Sequence, residues 1–156
     1  MTNRPPLTVL RAEFLEEVSI AGRKLRTLFD ARVKAEGLTL ARARILIHGA
    51  RKDGMTQIEL AEILEVEAPT VVRLLDGLEA QGLIERKPAE EDRRAKQIIL
   101  TDEGRKLAAV VTRIGNELRE EVLADIPAAD LIAATQIMRA VSRKIPTLAA
   151  CQIDSA

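Results

Sequence analysis

The side chains best placed to do chemistry in this sequence are cations set beside a carboxylate. Residues 90–100 read EEDRRAKQIIL, so Asp92, Arg93, Arg94 and Lys96 crowd together just ahead of strand-forming residues. A guanidinium is a permanent charge with its donors in a fixed fork, suited to holding phosphate or base edges rather than to moving protons. Residues two apart on an extended chain share a side, so Asp92 can hold Arg94 extended and reduce the entropy lost on binding. A second cation, Arg73, lies in APTVVRLLDGL, three residues after Thr70. Taken singly, each of these groups reads as a solvated surface charge, and it gains meaning only from the elements that carry it.

Catalytic chemistry has little to work with. The chain has 156 residues with one histidine, one cysteine, no tyrosine and no tryptophan. A structural zinc site needs four ligands at set spacings, and no such cluster is present. His48 sits in an apolar helical stretch with no nucleophile motif beside it, and no glycine-rich phosphate loop occurs. No enzyme activity, metal or cofactor is expected. Net charge is zero, which weakens the case for a nucleic-acid partner, but residues 1–56 hold eleven Lys/Arg against six Asp/Glu. Binding depends on the local field rather than the total. Cys151 cannot form an internal disulfide, no apolar run is long enough for a membrane span, and MTNRPPLTVL does not read as a secretory signal. A cytoplasmic protein with no membrane partner is the expectation.

The elements follow from periodicity. Leu10, Phe14, Val18, Ala21, Leu25, Leu28 and Arg32/Val33 step by three and four, which predicts a helix over 8–34 ended by Gly37. Thr39 caps a second helix over 40–52, with Leu40, Ala43, Leu46, Ile47 and Ala50 inward. Thr56-Gln57-Ile58-Glu59 is a capping box that opens a helix over 57–64. A turn at 65–67 leads to a helix that starts near Ala68-Pro69, where proline suits the first turn, and closes at Gly82. The period then changes to strands at 83–87 and 96–100, joined by Pro88–Ala95. Thr101 caps a helix to about 125, and Pro127 opens a last one whose apolar face is Leu131, Ala134, Met138, Val141 and Ile145. The tail after Pro146 is expected to fray.

Two helices joined by a short turn form a helix-turn-helix, and a hairpin directly after it makes a winged helix. The fold class expected is mainly α with a small β-hairpin wing. Ala61 is the small residue at the helix crossing, and Val66, Val71 and Leu74 anchor the pair. Glu65 occupies a turn position commonly given to glycine, at a strain of about 1 kcal/mol if its φ is positive. With Val71, Leu74, Leu75 and Leu78 inward, the helical rotation leaves Pro69 and Arg73 outward, and Thr70 and Val72 to the sides. The N-terminal part of such a helix meets base edges in a major groove. Arg73 suits guanine, Thr70 a phosphate or base edge, and Ala68, Pro69 and Val72 thymine methyls. Asp76 is expected to orient Arg73. Arg94 suits a narrow minor groove braced by Asp92, with Arg93 and Lys96 on phosphates.

On these residues the chain resembles the MarR family of winged-helix regulators. Asp92-Arg93-Arg94 followed by Leu100-Thr101-Asp102-Glu103-Gly104 looks like the family's wing signature, and TQIELAEILEVEAPTVVRLLDGLEAQGLIER is similar to its recognition segment, particularly in the SlyA-like branch. The close match covers about 40–104. The resemblance implies a winged helix-turn-helix over 40–101 and a dimerisation region formed by 1–39 and 102–156. It further implies a homodimeric regulator, usually a repressor, on a near-palindromic duplex, released by a small aromatic anion. Arg42, Arg44 and His48 are cations near the second helix that a carboxylate effector could use, or else charges of the DNA-facing surface, and no ligand site is assigned. The cysteine that peroxide-sensing relatives carry in the first helix is absent, and Cys151 is a poor substitute. The alternative reading is a winged-helix module that contacts only protein.

Overall fold

The computed structural model describes residues 5–88 and 96–153, with side chains up to residue 148. The helices are α1 (Leu7–Val33), α2 (Leu40–Arg51), α3 (Gln57–Leu64), α4 (Ala68–Ala80), α5 (Asp102–Leu123) and α6 (Ala128–Ile153). The strands are β1 (Met55–Thr56), β2 (Ile84–Pro88) and β3 (Lys96–Leu100). The chain divides into two compact units, one ending at Leu118 and the other beginning at Arg119.

The first unit is built around a core drawn from every one of its elements. Val33, Leu38, Ala43, Ile45, Leu46, Met55, Leu60, Leu64, Val71, Leu75, Leu78, Ile84, Ile98, Leu100, Ala108 and Val111 form one buried cluster. Helix α2 differs from the expected face. Ala50 is exposed and Leu40 only partly covered, whereas Ile45 and Gly49 are buried beside Ala43 and Leu46. The helix is enclosed on more than one side, so a single stripe understates its buried surface. Gly49 shows why: a β-carbon there would lie 3.2 Å from a Leu100 methyl carbon.

Local signals set most boundaries. Gly37, Gly54 and Gly82 take positive φ, a region open to glycine at no steric cost. Thr39 accepts from the Arg42 amide across the first turn of α2. The α2 N-terminus is tied back to α1, where Asp30 accepts from the Leu40 amide at 2.9 Å. That bond, with Lys34 beside it, holds the Asp30 carboxyl below its ordinary range.

The sheet has three antiparallel strands in the order β1-β3-β2, one more than the hairpin expected. Met55 pairs with Ile98 and Thr56 with Gln97. Two residues are too few to show an alternating pattern, so β1 is invisible before its partner is in place. The hairpin register sets Ile84 opposite Leu100, Arg86 opposite Ile98 and Pro88 opposite Lys96. Pro88 therefore ends β2 rather than opening the connection, a place where its missing N–H is tolerated.

In the second unit α6 runs on to Ile153 with Pro146 inside it. The expected fraying after Pro146 is thus corrected at the backbone level. A proline removes one i→i−4 bond and crowds one carbonyl, and a helix of 26 residues retains its other bonds on either side.

Candidate nucleic-acid interface

The surface of interest is the exposed side of α4 together with the wing strands, and its geometry is set by caps on both sides. At the start of α3 the Thr56 hydroxyl accepts from the Glu59 amide at 3.2 Å, while Glu59 accepts from the Thr56 amide at 2.8 Å. Lys52 also reaches Glu59. Its hydrogen bond, followed by that from the Thr56 backbone, holds the Glu59 carboxyl below the usual glutamate range. At the far end Glu65 adopts φ 57°, ψ 44°, the left-handed conformation that strains a side chain bearing a β-carbon. The turn residue Val66 is half-buried, and its amide closes on the Ala61 carbonyl at 3.1 Å. Arg44 of α2 donates to the Ile63 carbonyl, satisfying an acceptor in the last turn of α3.

Helix α4 then begins with Ala68 and Pro69 in its first turn. Val71, Leu75 and Leu78 are buried, and Leu74 is partly covered. The opposite side carries the expected set: Ala68, Pro69, Val72 and Arg73 are exposed and Thr70 is half-buried. These five positions thus share one end of one helix. Lys96 is exposed at the first position of β3. Asp92, Arg93 and Arg94 lie outside the described residues.

One expectation fails. Asp76 does not orient Arg73; its carboxylate receives Arg86 of β2 at 2.6 Å. Glu79, one turn further along α4, lies 3.5 Å from the same guanidinium, which also donates to the Val72 carbonyl at 3.4 Å. The Arg86 side chain is only 13% exposed. Its importance could have been read from alternation. Within IERKP, Arg86 falls on the same face as the buried Ile84, and a charge on the inward face of a strand must find a partner.

The base of the wing is joined to α5 by Thr101. Its amide donates to the Leu83 carbonyl at 3.1 Å, and its hydroxyl donates to the Gly82 carbonyl at 2.7 Å while accepting from the Gly104 amide at 3.0 Å. Gly104 is buried where the first turn of α5 meets the Leu83 backbone. The Leu-Thr-x-x-Gly spacing is therefore a joint between the end of α4, the last wing strand and α5.

Of the cations on α2, Arg44 serves the α3 carboxyl end and Arg42 lies against Gly77 of α4. His48 is half-buried, and burial, then Arg51 and Arg44, lowers its pKa. Among the described residues no group of three or more His, Cys, Asp or Glu side chains could hold a metal ion. No described helix is long and apolar enough to cross a membrane.

Comparison with known proteins bears on what this surface is. The family model described as MarR matches residues 36–95. The crystal structure of the transcriptional regulator PA3341 is 38% identical, covers 86% of this chain and 98% of its own, and superposes with a TM-score of 0.79. A MarR transcriptional regulator from Methanosarcina mazei Go1 is 24% identical over 85% of this chain and 99% of its own, at a TM-score of 0.72. A putative MarR family regulator from Listeria monocytogenes, solved in complex with a 26-mer DNA, is 22% identical over 84% of this chain and 87% of its own, at 0.75. The helix-turn-helix with its following hairpin, the Thr101 joint and the near-complete span of a relative at this identity lead to one assignment: the chain belongs to the MarR family of transcriptional regulators.

Proposed function

We propose that this chain is a sequence-specific, double-stranded DNA-binding transcriptional regulator that acts as a homodimer. The observation that carries the reading is the exposed N-terminal end of α4. There Ala68, Pro69, Thr70, Val72 and Arg73 stand outward on a helix whose other side is locked into the core. Arg73 is the residue for a guanine edge, Thr70 for a phosphate or base, and the three apolar groups for thymine methyls. Arg93, Arg94 and Lys96 are assigned to the wing contact, with Asp92 supporting Arg94. The Listeria relative bound to DNA supports this use of the fold.

Dimerisation is assigned to residues 1–39 and 102–156. In α1 the side chains of Leu7, Leu10, Phe14, Leu15, Leu25 and Leu28 remain 37–60% exposed in the single chain. In the second unit Ile132, Ile137, Ile145 and Leu148 are likewise exposed. Apolar surface on this scale marks an interaction site. The regulator is further proposed to repress, and to be released by a small aromatic ligand.

Selection of duplexes from a random-sequence library by the purified chain tests the reading. Enrichment of a near-palindrome with half-sites roughly one helical turn, ~34 Å, apart is the expected result. A library that emerges unenriched, with a protein that retains its fold, would leave a protein-contact module in its place.

A further inference from the structure

We infer that Arg86 is a positioning residue that locks the wing to the recognition helix, so that α4 and the hairpin address DNA as one rigid unit. The inference rests on the DNA-binding reading above and goes beyond it. It assigns a role to a side chain that need not touch the duplex.

Three contacts define the lock. From β2, Arg86 reaches Asp76 at 2.6 Å, Glu79 at 3.5 Å and the Val72 carbonyl at 3.4 Å. These partners span two turns of α4, beginning at a residue of the proposed base-reading face. The guanidinium is largely covered, whereas Asp76 and Glu79 remain 55% and 42% exposed. The cation is thus held between helix and strand while its carboxylates face solvent. Its Nε is buried without a hydrogen-bond partner among the described residues. Burial of a charged group with one donor unmet is costly. A site whose only task was stability could be filled by an apolar side chain at no loss. What the arginine adds is direction: its planar fork meets two carboxylates and a carbonyl at once, which fixes the rotation of α4 about its axis relative to β2.

The geometry also separates the charges by task. Asp76 and Glu79 are acidic groups on a helix meant to approach phosphates. Pairing them with Arg86 offsets their repulsion and leaves Arg73, one turn earlier, for the duplex. Lysine cannot replace this arrangement, since an ammonium is a point charge without the fork.

The test uses the full chain, a duplex selected by the wild type, and poly(dI-dC) as the nonspecific duplex, with fluorescence anisotropy at fixed salt. Arg86→Met, which keeps the apolar stem, and the double variant Asp76→Asn/Glu79→Gln should each lose about tenfold or more in affinity for the selected duplex, the scale of one misread base pair. Binding to poly(dI-dC) should change far less, so the ratio of the two falls. Arg86→Lys should recover only part of it. Melting curves report folding, and a Met variant that does not fold leaves the carboxylate double variant and Arg86→Lys to decide. A specificity ratio equal to wild type in folded variants overturns the positioning role. So does an equal proportional loss on both duplexes, which would mark a general phosphate contact. If the wild type selects no duplex, the DNA-binding reading fails instead. The lock is then decided by a double-mutant cycle in melting between Arg86→Met and Asp76→Asn, where additivity overturns it.

Discussion

The carbonyl group of Leu83 occupies the space that a β-carbon on Gly104 would need. An added carbon would sit 2.9 Å from the carbonyl carbon and overlap the oxygen. The same carbonyl accepts from the Thr101 amide. Leu83 thus pins the entry of α5 from two directions, which gives the Leu-Thr-x-x-Gly spacing a steric cause. Gly104→Ala should therefore destabilise the first unit by about 1–3 kcal/mol or more, since the obstacle is backbone and cannot rotate away. A urea titration reads it, and an unchanged midpoint would show that α5 can shift freely.

Glu65 offers the opposite case. It holds a left-handed conformation at φ 57°, so Glu65→Gly should raise stability by about 1 kcal/mol through relief of strain. Glu65→Ala keeps the β-carbon and should gain nothing. Denaturant midpoints of the two variants separate strain from the loss of a charge.

Acid should weaken the capping box of α3. The Glu59 carboxyl is held below its ordinary range by Lys52 and the Thr56 amide. A depressed carboxyl contributes stability that is complete above the unfolded value of about 4.3 and is lost as pH falls through the lower folded value. Glu59→Gln should lower stability at pH 7, and the gap to wild type should narrow as pH drops below about 4. Melting temperatures across pH 3–7 check the direction, and a gap that widened in acid would refute it.

The two arginines proposed to read DNA should fail differently. Arg94→Ala should cost about 1–3 kcal/mol of affinity at fixed salt, as a minor-groove contact. Arg73→Ala should also relax the preference at one base position. Anisotropy on the selected duplex and on single-base variants separates these effects, and uniform loss for Arg73→Ala would reassign it to phosphate.

Phe14 stands on the apolar face of α1, 38% exposed in the single chain. Phe14→Glu should yield a folded monomer with strongly reduced DNA affinity, while the wild type sediments at twice the chain mass. A variant that sediments as the wild type does would move the dimer contact away from this part of α1.

The parts of this protein legible in its sequence are those decided within a few residues. The capping box at Thr56 and Glu59, the first-turn Pro69, the closing Gly82 and the Thr101 cap each act over three or four positions, and each stands where its spacing places it. The outward set on α4 was legible for the same reason, since helical rotation is a local rule. The wing signature identified the family, although Asp92, Arg93 and Arg94 themselves lie outside the described residues.

Tertiary structure decided the rest. Strand β1 exists because Met55 meets Ile98, more than forty positions away. Asp76 belongs to Arg86 rather than to Arg73 because β2 is folded against α4. Ala50 is exposed and Gly49 buried because Leu100 covers one side of α2 and not another. Spacing along a chain determines which side of an element a residue occupies, whereas the partner it meets there depends on contacts between segments far apart, and those exist only once the core has closed.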